Sequence, residues 1–396
     1  MSESAENPLN FDKLQIRLVI AGAVLLVICL AAGFADRAEF FRSYLIAFLF
    51  WIGITLGSLA LLMVQHLTGG RWALVIRRIL EAGSRTLPLM AVAALPLLAG
   101  MRTLYSWSRP GQTDPVVLSK QLYLNPTFFV VRMILYFLVW FTLAYFLNKW
   151  SREEDAGEAG LKLWMHMEGL SGIGLVIYGL TVTFASVDWV MSLEPQWYST
   201  IYGLLFMVSQ ALTALAFATT ILIWLSERKP LSQVVRPAQF QDLGSFLLTF
   251  VMLWAYMEFS QFLIIWGGNL TSEIPWYLRR MEGVWGNIGL LLVIMSFFFP
   301  FFLLLFRHVK RRMRSLLIVA LLILMMRLVD MYWMVLPAFG GGNVRLSWMN
   351  VALPLGMGGL WFAHFLWQLQ RMPILPVHDP RMEEITQQAQ QAVEHG

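Results

Sequence analysis

Two carboxylates, Asp188 and Glu194, lie within one short stretch, Phe184 to Gly203, which reads FASVDWVMSLEPQWYSTIYG. They stand beside Trp189, Pro195, Trp197 and Tyr198. Long apolar segments flank the stretch on both sides, so it forms the turn between two membrane helices. A plain connector needs only Gly, Ser or Asn. Acids and large aromatics at membrane depth are costly, and an intramembrane carboxylate is by default a functional group. The chemistry open to it is to accept, hold or pass a proton.

Further ionisable residues sit inside apolar runs. Arg132, Asp188, Glu258, Arg327 and Asp330 all fall in the outer third of their spans when depth is counted at about 1.5 Å per residue. Arg327 and Asp330 are three apart, share a helix face and can pair. Two arginines and three carboxylates at one depth nearly balance, as a low dielectric demands. Tyr256, Ser260 and Gln261 flank Glu258 and could hydrogen-bond it. Towards the other face, Glu168 opens the fifth span, roughly 30 Å of helix below Asp188. Acids at both faces, with Tyr178 and Thr181 between them, are what a proton route needs. The competing reading of Glu168 is a first-turn acid favoured by the helix dipole. His66 and His364 are the histidines that belong to spans, and both lie towards the inside, where a bis-histidine haem would require them to face one gap.

These groups must be positioned by helices. Hydrophobic residues make up 58% of the 396 and charged ones 13%, against about a quarter charged in soluble domains. The fold class is therefore all-α: a polytopic membrane protein with ten spans, at roughly 15–34, 44–66, 87–106, 127–148, 166–187, 199–225, 243–266, 284–306, 315–338 and 349–370. The net charge of +5 reads as loop bias and not as nucleic-acid binding, because Lys and Arg sit at helix ends. Their distribution places both termini in the cytoplasm. Cys29 is the sole cysteine, which excludes a disulfide or an iron–sulfur ligand set within the chain. No cleavable signal peptide is evident, so the first helix is expected to act as its own insertion signal.

The loops differ in kind. Those assigned outside, 107–126, 188–198 and 268–283, are rich in Trp, Tyr and Pro, as a surface that holds a partner would be; an aromatic belt is the plainer reading. Gly70 to Gly83 (GRWALVIRRILEAG) has apolar residues at helical spacing with Arg77, Arg78 and Glu81 opposite, which predicts an interfacial amphipathic helix over 71–85 on the inner leaflet. Gly340–Gly342 reads as a flexible outer turn; with no GK[ST] after it, a phosphate loop is excluded.

Two stretches carry a resemblance. FASVDWVMSLEPQWYSTIYG and Tyr256 to Arg280 (YMEFSQFLIIWGGNLTSEIPWYLRR) closely resemble the ActF subunits of bacterial alternative complex III, a quinol:cytochrome c or quinol:oxidase oxidoreductase. The HLTGGRWALVIRRILE segment and the ten spans fit as well, so the likeness covers nearly the whole chain. It implies a member of the NrfD/PsrC-like group, a paralogue of ActC, with two four-helix bundles plus peripheral helices. The divisions implied are a cytoplasmic tail over 1–13, a first helix and outer loop over 14–43, bundles at 44–190 and 191–338, a tenth helix over 339–371 and a cytoplasmic tail over 372–396. It implies no redox cofactor in this chain, with quinone a candidate ligand, and haem c and iron–sulfur clusters in periplasmic partner subunits. An ActC-like membrane subunit and a terminal oxidase are the other implied partners, in the bacterial inner membrane. Asp188 and Glu258 match acidic positions of the paralogue. The chain departs from the paralogue's quinol-binding pattern in having no histidine in the outer part of the first bundle. That raises the weight of a proton route through Glu168, Tyr178, Asp188, Glu258 and Asp330, charge-balanced by Arg132 and Arg327. The rival readings are a purely structural anchor for the paralogous subunit and a secondary transporter of a small solute.

Overall fold

A segment crossing hydrocarbon must satisfy every backbone N–H and C=O within itself, which leaves the helix as the solution for an isolated apolar run. The computed structural model describes residues 9–157, 161–340, 347–376 and 379, and among these it holds helices and no strand. Ten helices are long and apolar enough to cross a membrane. The chain is an all-α, multi-pass membrane protein.

The elements run α1 (Asp12–Gly33), α2 (Arg37–Thr68), α3 (Arg77–Ser84), α4 (Leu87–Ala99), α5 (Pro126–Asp155), α6 (Leu161–Trp189) and α7 (Tyr202–Leu225). They continue with α8 (Pro237–Gly268), a short α9 (Ile274–Met281), α10 (Gly283–Leu292), α11 (Phe299–Leu305), α12 (Met313–Val335) and α13 (Met349–Leu369). The helix ends have local causes. Asp36 accepts from the Glu39 N–H and Asn125 from the Phe128 N–H, so both cap orphan donors. Asn269, at φ 48°, ends α8 in the left-handed conformation that asparagine tolerates better than most residues. Between α10 and α11 the backbone widens into a π turn over Val293–Phe298. Pro300 lacks an N–H and its ring collides with the carbonyl four residues back; a wider turn relieves both problems.

Two helices form the centre. In α2 and α7, 89% of the membrane-length window is buried, against 22% in α8. α2 packs on α4, α6, α7 and α13; α7 packs on α6, α8 and α12; α1 lies against α13. The α2–α7 approach depends on Gly57, where an added Cβ would stand 2.1 Å from the Gln210 carbonyl oxygen. In lipid such small-residue seams replace the hydrophobic effect as the source of helix association. The end of the molecule that carries residues 188–201 is termed upper below, and the opposite end lower.

The interfacial helix expected over 71–85 is corrected. A single 3-10 turn at Arg71–Ala73 precedes α3, and all of α3 is buried, with Arg77, Arg78 and Glu81 at 0–1% exposure. Its charged face turns inward, to other charges. Arg77 meets Glu81 (3.0 Å), Glu154 (2.6 Å) and Asp379 (3.1 Å); Arg78 meets Glu81 (2.8 Å) and Asp155. Ser151 Oγ accepts from Arg78 and donates to Glu81. Helical spacing of charge shows that one face is polar; it does not show whether headgroups or buried carboxylates will meet it. Residues 1–8, 341–346, 377–378 and 380–396 lie outside the described residues, so the Gly340–Gly342 turn and most of both tails are not placed.

A buried ion pair that loses one partner leaves an uncompensated charge, at a cost of about 3–5 kcal/mol. Arg77→Met should therefore lower the thermal unfolding midpoint in lipid nanodiscs by several degrees. Lys149→Met, at the half-exposed Lys149–Glu153 contact of 3.8 Å, should leave the midpoint close to that of the unaltered protein.

Candidate functional site

Acids and arginines gather at the upper end in two separate clusters. The first joins α5 and α6. Asp188, in the last turn of α6 and 1% exposed, accepts a bidentate pair of hydrogen bonds from Arg132 Nε (2.8 Å) and Nη2 (2.7 Å). Tyr136, one turn along α5, donates its hydroxyl to the same carboxylate at 2.7 Å. Arg132 also donates to the Tyr123 carbonyl and lies 3.8 Å over the Tyr123 ring. Burial, reinforced by the Asp188 charge, pushes the Tyr123 phenol up from its usual range. Trp189 seals the cluster against Phe48, Tyr136 and Trp140. This is a buried ion pair whose carboxylate accepts three hydrogen bonds.

The second cluster is open. Glu258 on α8 and Asp330 on α12 both line a cavity of about 890 Å³, whose other polar or aromatic walls include Trp254, Tyr277, Arg280, Asn287 and Trp333. Arg327, one turn before Asp330, pairs with it at 3.3 Å and lies 4.0 Å over the Trp254 ring. Asp330, Arg327 and Arg280 are the charged groups within electrostatic reach of Glu258. Arg327 is paired with Asp330 and Arg280 with Glu194, so Glu258 is the carboxylate of this group with no ion pair among the described residues. The Nε1 atoms of Trp254 and Trp333 and Nε of Arg280 are buried donors with no hydrogen-bond partner among the described residues.

The cavity opens sideways. Tyr256, Phe259, Leu290, Val293 and Phe298 line it and are 45–65% exposed on α8, α10 and the π turn. Those faces belong to membrane-spanning elements, so the mouth meets acyl chains. π turns recur at functional sites because they displace the residues that follow out of helical register, and here the displaced wall is the one beside Glu258.

Short helix α9 closes the upper end of the cavity and is tied to the α6–α7 connector. Glu194 pairs with Arg280 (2.9 Å) and Arg279 (2.6 Å), and Trp197 stacks on Trp276 at 4.5 Å. Arg280 further donates to the Met334 carbonyl of α12 at 2.7 Å. Burial lowers the guanidinium affinity for its proton, while the Glu194 charge opposes that shift. Burial, with the negative charge of Glu258 second, pushes the Tyr277 phenol up. Gln261 accepts from Ser199 and donates to Tyr277; it thus serves the connector and α9, not Glu258 as its spacing suggested. Tyr256, 65% exposed, points to the mouth.

The remaining sequence candidates are spread out. Glu168 lies half-buried in the lower part of α6, and no ion pair or hydrogen bond of its side chain occurs among the described residues. Tyr178 donates to Gln210 of α7 at 2.7 Å, whereas Thr181 accepts from Trp140 of α5 at 2.9 Å. The two therefore reach in different directions from α6. His66 Nδ1 lies 3.2 Å from Ser171 Oγ, and His364 Nε2 lies 3.2 Å from Gln368 Nε2, so the two histidines engage different neighbours.

Sequence reasoning singled out Glu194 but not its partner Arg280, and it missed Tyr136. Tyr136 was findable, since it stands four residues after Arg132 on one helix face. Glu194 and Arg280 are 86 apart in sequence, and no local pattern joins them.

Loss of Arg132 would strand the Asp188 charge. Arg132→Met is expected to destabilise the protein by about 3–5 kcal/mol, and the added change Asp188→Asn to recover more than half of that loss. Unfolding free energies of the two single variants and the double variant in one detergent would show it. Compared with models of protein families and with curated proteins, the chain matches none.

Proposed function

We propose that this chain is an integral membrane subunit of a quinol-oxidising respiratory complex, resident in a bacterial inner membrane with both termini cytoplasmic, and that it takes a quinol from the bilayer into the lateral cavity. One observation carries the reading: a carboxylate-floored cavity whose mouth opens to lipid. A quinol is an apolar tail bearing an aromatic ring with two hydroxyls, and each part meets a matching surface. The exposed apolar mouth suits the tail. Trp254, Tyr277 and Trp333 offer aromatic faces and edges to the ring. Glu258 and Asp330 can accept from the hydroxyls. About 890 Å³ lies within the range of sites for small organic ligands, roughly 300–1,000 Å³.

Oxidation of a quinol releases two electrons and two protons. The protons require acceptors within hydrogen-bond reach of the hydroxyls, and the Glu258–Asp330 pair offers them, with Arg327 holding the charge balance. The electrons pass to redox centres of partner subunits, the iron–sulfur and haem c proteins that the family likeness implies. In this reading Asp188 is not a proton acceptor, because it is held by a bidentate Arg132 and by the Tyr136 hydroxyl; it fixes α5 to α6. The positive-inside pattern supports the orientation. Arg307, Lys310, Arg311 and Arg314 cluster at the lower ends of α11 and α12.

A short-tailed quinol added to the full chain in nanodiscs should quench tryptophan emission saturably, since Trp254 and Trp333 form the walls. Glu258→Gln combined with Asp330→Asn should weaken that binding about tenfold or more, as expected when hydrogen bonds to charged acceptors are lost. Absence of saturable quenching in the unaltered protein would leave a structural anchor as the better account.

A further inference from the structure

A second, internal cavity lies where α2, α7 and α12 meet. Its volume is about 20 Å³, and it is lined by Gly53 of α2, by Ser209, Gln210 and Thr213 of α7, and by Arg327 of α12. Three of the atoms on those residues stand out. Ser209 Oγ, Arg327 Nε and Arg327 Nη2 are buried and without a hydrogen-bond partner among the described residues. Arg327 has committed only Nη1, to Asp330. Gln210 already accepts from Tyr178, and Thr213 donates to the Ser209 carbonyl, which leaves its oxygen free to accept again.

We propose that this cavity is a one-water site, and that its water is the positioning ligand of Arg327. The volume suits one molecule, for which about 10–15 Å³ is the minimum. The chemistry suits it too. The water would accept from the Arg327 guanidinium and donate to Ser209 Oγ and to Thr213 Oγ1 or Gln210 Oε1. That satisfies the three orphaned atoms with the two to four bonds a buried water makes. Held from this side, the guanidinium keeps Nη1 on Asp330 and its plane over Trp254.

Two halves of the molecule are thereby joined. On one side stands Tyr178 of α6, through Gln210. On the other stand Asp330 and Glu258, the floor of the lateral cavity. The water site itself is independent of the quinol reading; its influence on quinol binding rests on that reading.

Gly53→Ala tests the site without deleting any polar group. A Cβ there would meet Gln210 Cγ at an ordinary 3.7 Å, so the helices need not shift, yet the methyl takes the space of the water. Ser209→Ala removes a ligand but leaves the room. Cryo-EM maps of the full chain in nanodiscs, sharp enough to show waters, should contain one peak within about 3.2 Å of Ser209 Oγ and the guanidinium, and no peak in Gly53→Ala. A map of the unaltered protein with no such peak overturns the site. Both variants should weaken the short-tailed quinol about tenfold through Arg327, the scale of one hydrogen bond to a charged group, with unfolding midpoints tracked alongside. Unchanged affinity, with the peak gone, overturns the positioning role. If the unaltered protein binds no quinol, the reading of the lateral cavity fails, and the density alone decides the water.

Discussion

Charge burial in a medium of low dielectric governs this molecule. An isolated ion inside it is prohibitive, so each buried ion must find its opposite, and the helices are held where those meetings occur. Arg77 and Arg78 collect carboxylates from α3, α5 and residue 379 at the lower end. Arg132 joins α5 to α6, Arg280 joins α9 to the α6–α7 connector, and Arg327 binds within α12 beside α8. Arginine suits every one of these places. It stays charged, offers five donors in a plane and tolerates an aromatic face, and three of these guanidiniums lie over Tyr123, Trp276 and Trp254.

The same rule separates structure from chemistry at the upper end. Asp188 has a bidentate arginine and a tyrosine hydroxyl, and it does not line the lateral cavity. Glu258 lines the lateral cavity near Asp330 and near two arginines that are paired with other acids. Both are acids on helices that pack against α7. They differ in how many of their acceptor sites are taken, and the one with more to spare lines a cavity that a ligand could enter.

Much of this was legible in the sequence. Ten apolar runs predict ten helices, and the low share of charged residues predicts their solvent. The depth of Arg132, Asp188, Glu258, Arg327 and Asp330 followed from counting along each helix. Their partners did not. Depth is a one-dimensional quantity, whereas pairing depends on the rotation of each helix about its axis, which packing at positions such as Gly57 decides. For the same reason α3 was misread as lying on the membrane surface. Its spacing of Arg77, Arg78 and Glu81 is that of a surface helix, and the carboxylates outside α3 that draw it inward are 77 to 302 residues away. The lateral cavity was not legible at all, because its walls come from α8, α9, α10, α12 and a π turn that no residue pattern in 293–298 announces, save the proline that follows.

The reach of Arg77 to Asp379 has a consequence for how the protein is made. The two lie 302 residues apart in the chain. At a synthesis rate of about 5–20 residues per second, roughly 15 to 60 seconds separate their emergence from the ribosome. During that interval Arg77 has Glu81 and, later, Glu154, but its third carboxylate does not yet exist. The nascent helices must therefore wait, inserted but incompletely neutralised, for a residue beyond the last span to dock from the aqueous side. The ionic network around Arg77 is therefore completed late, after the ten spans described have been made.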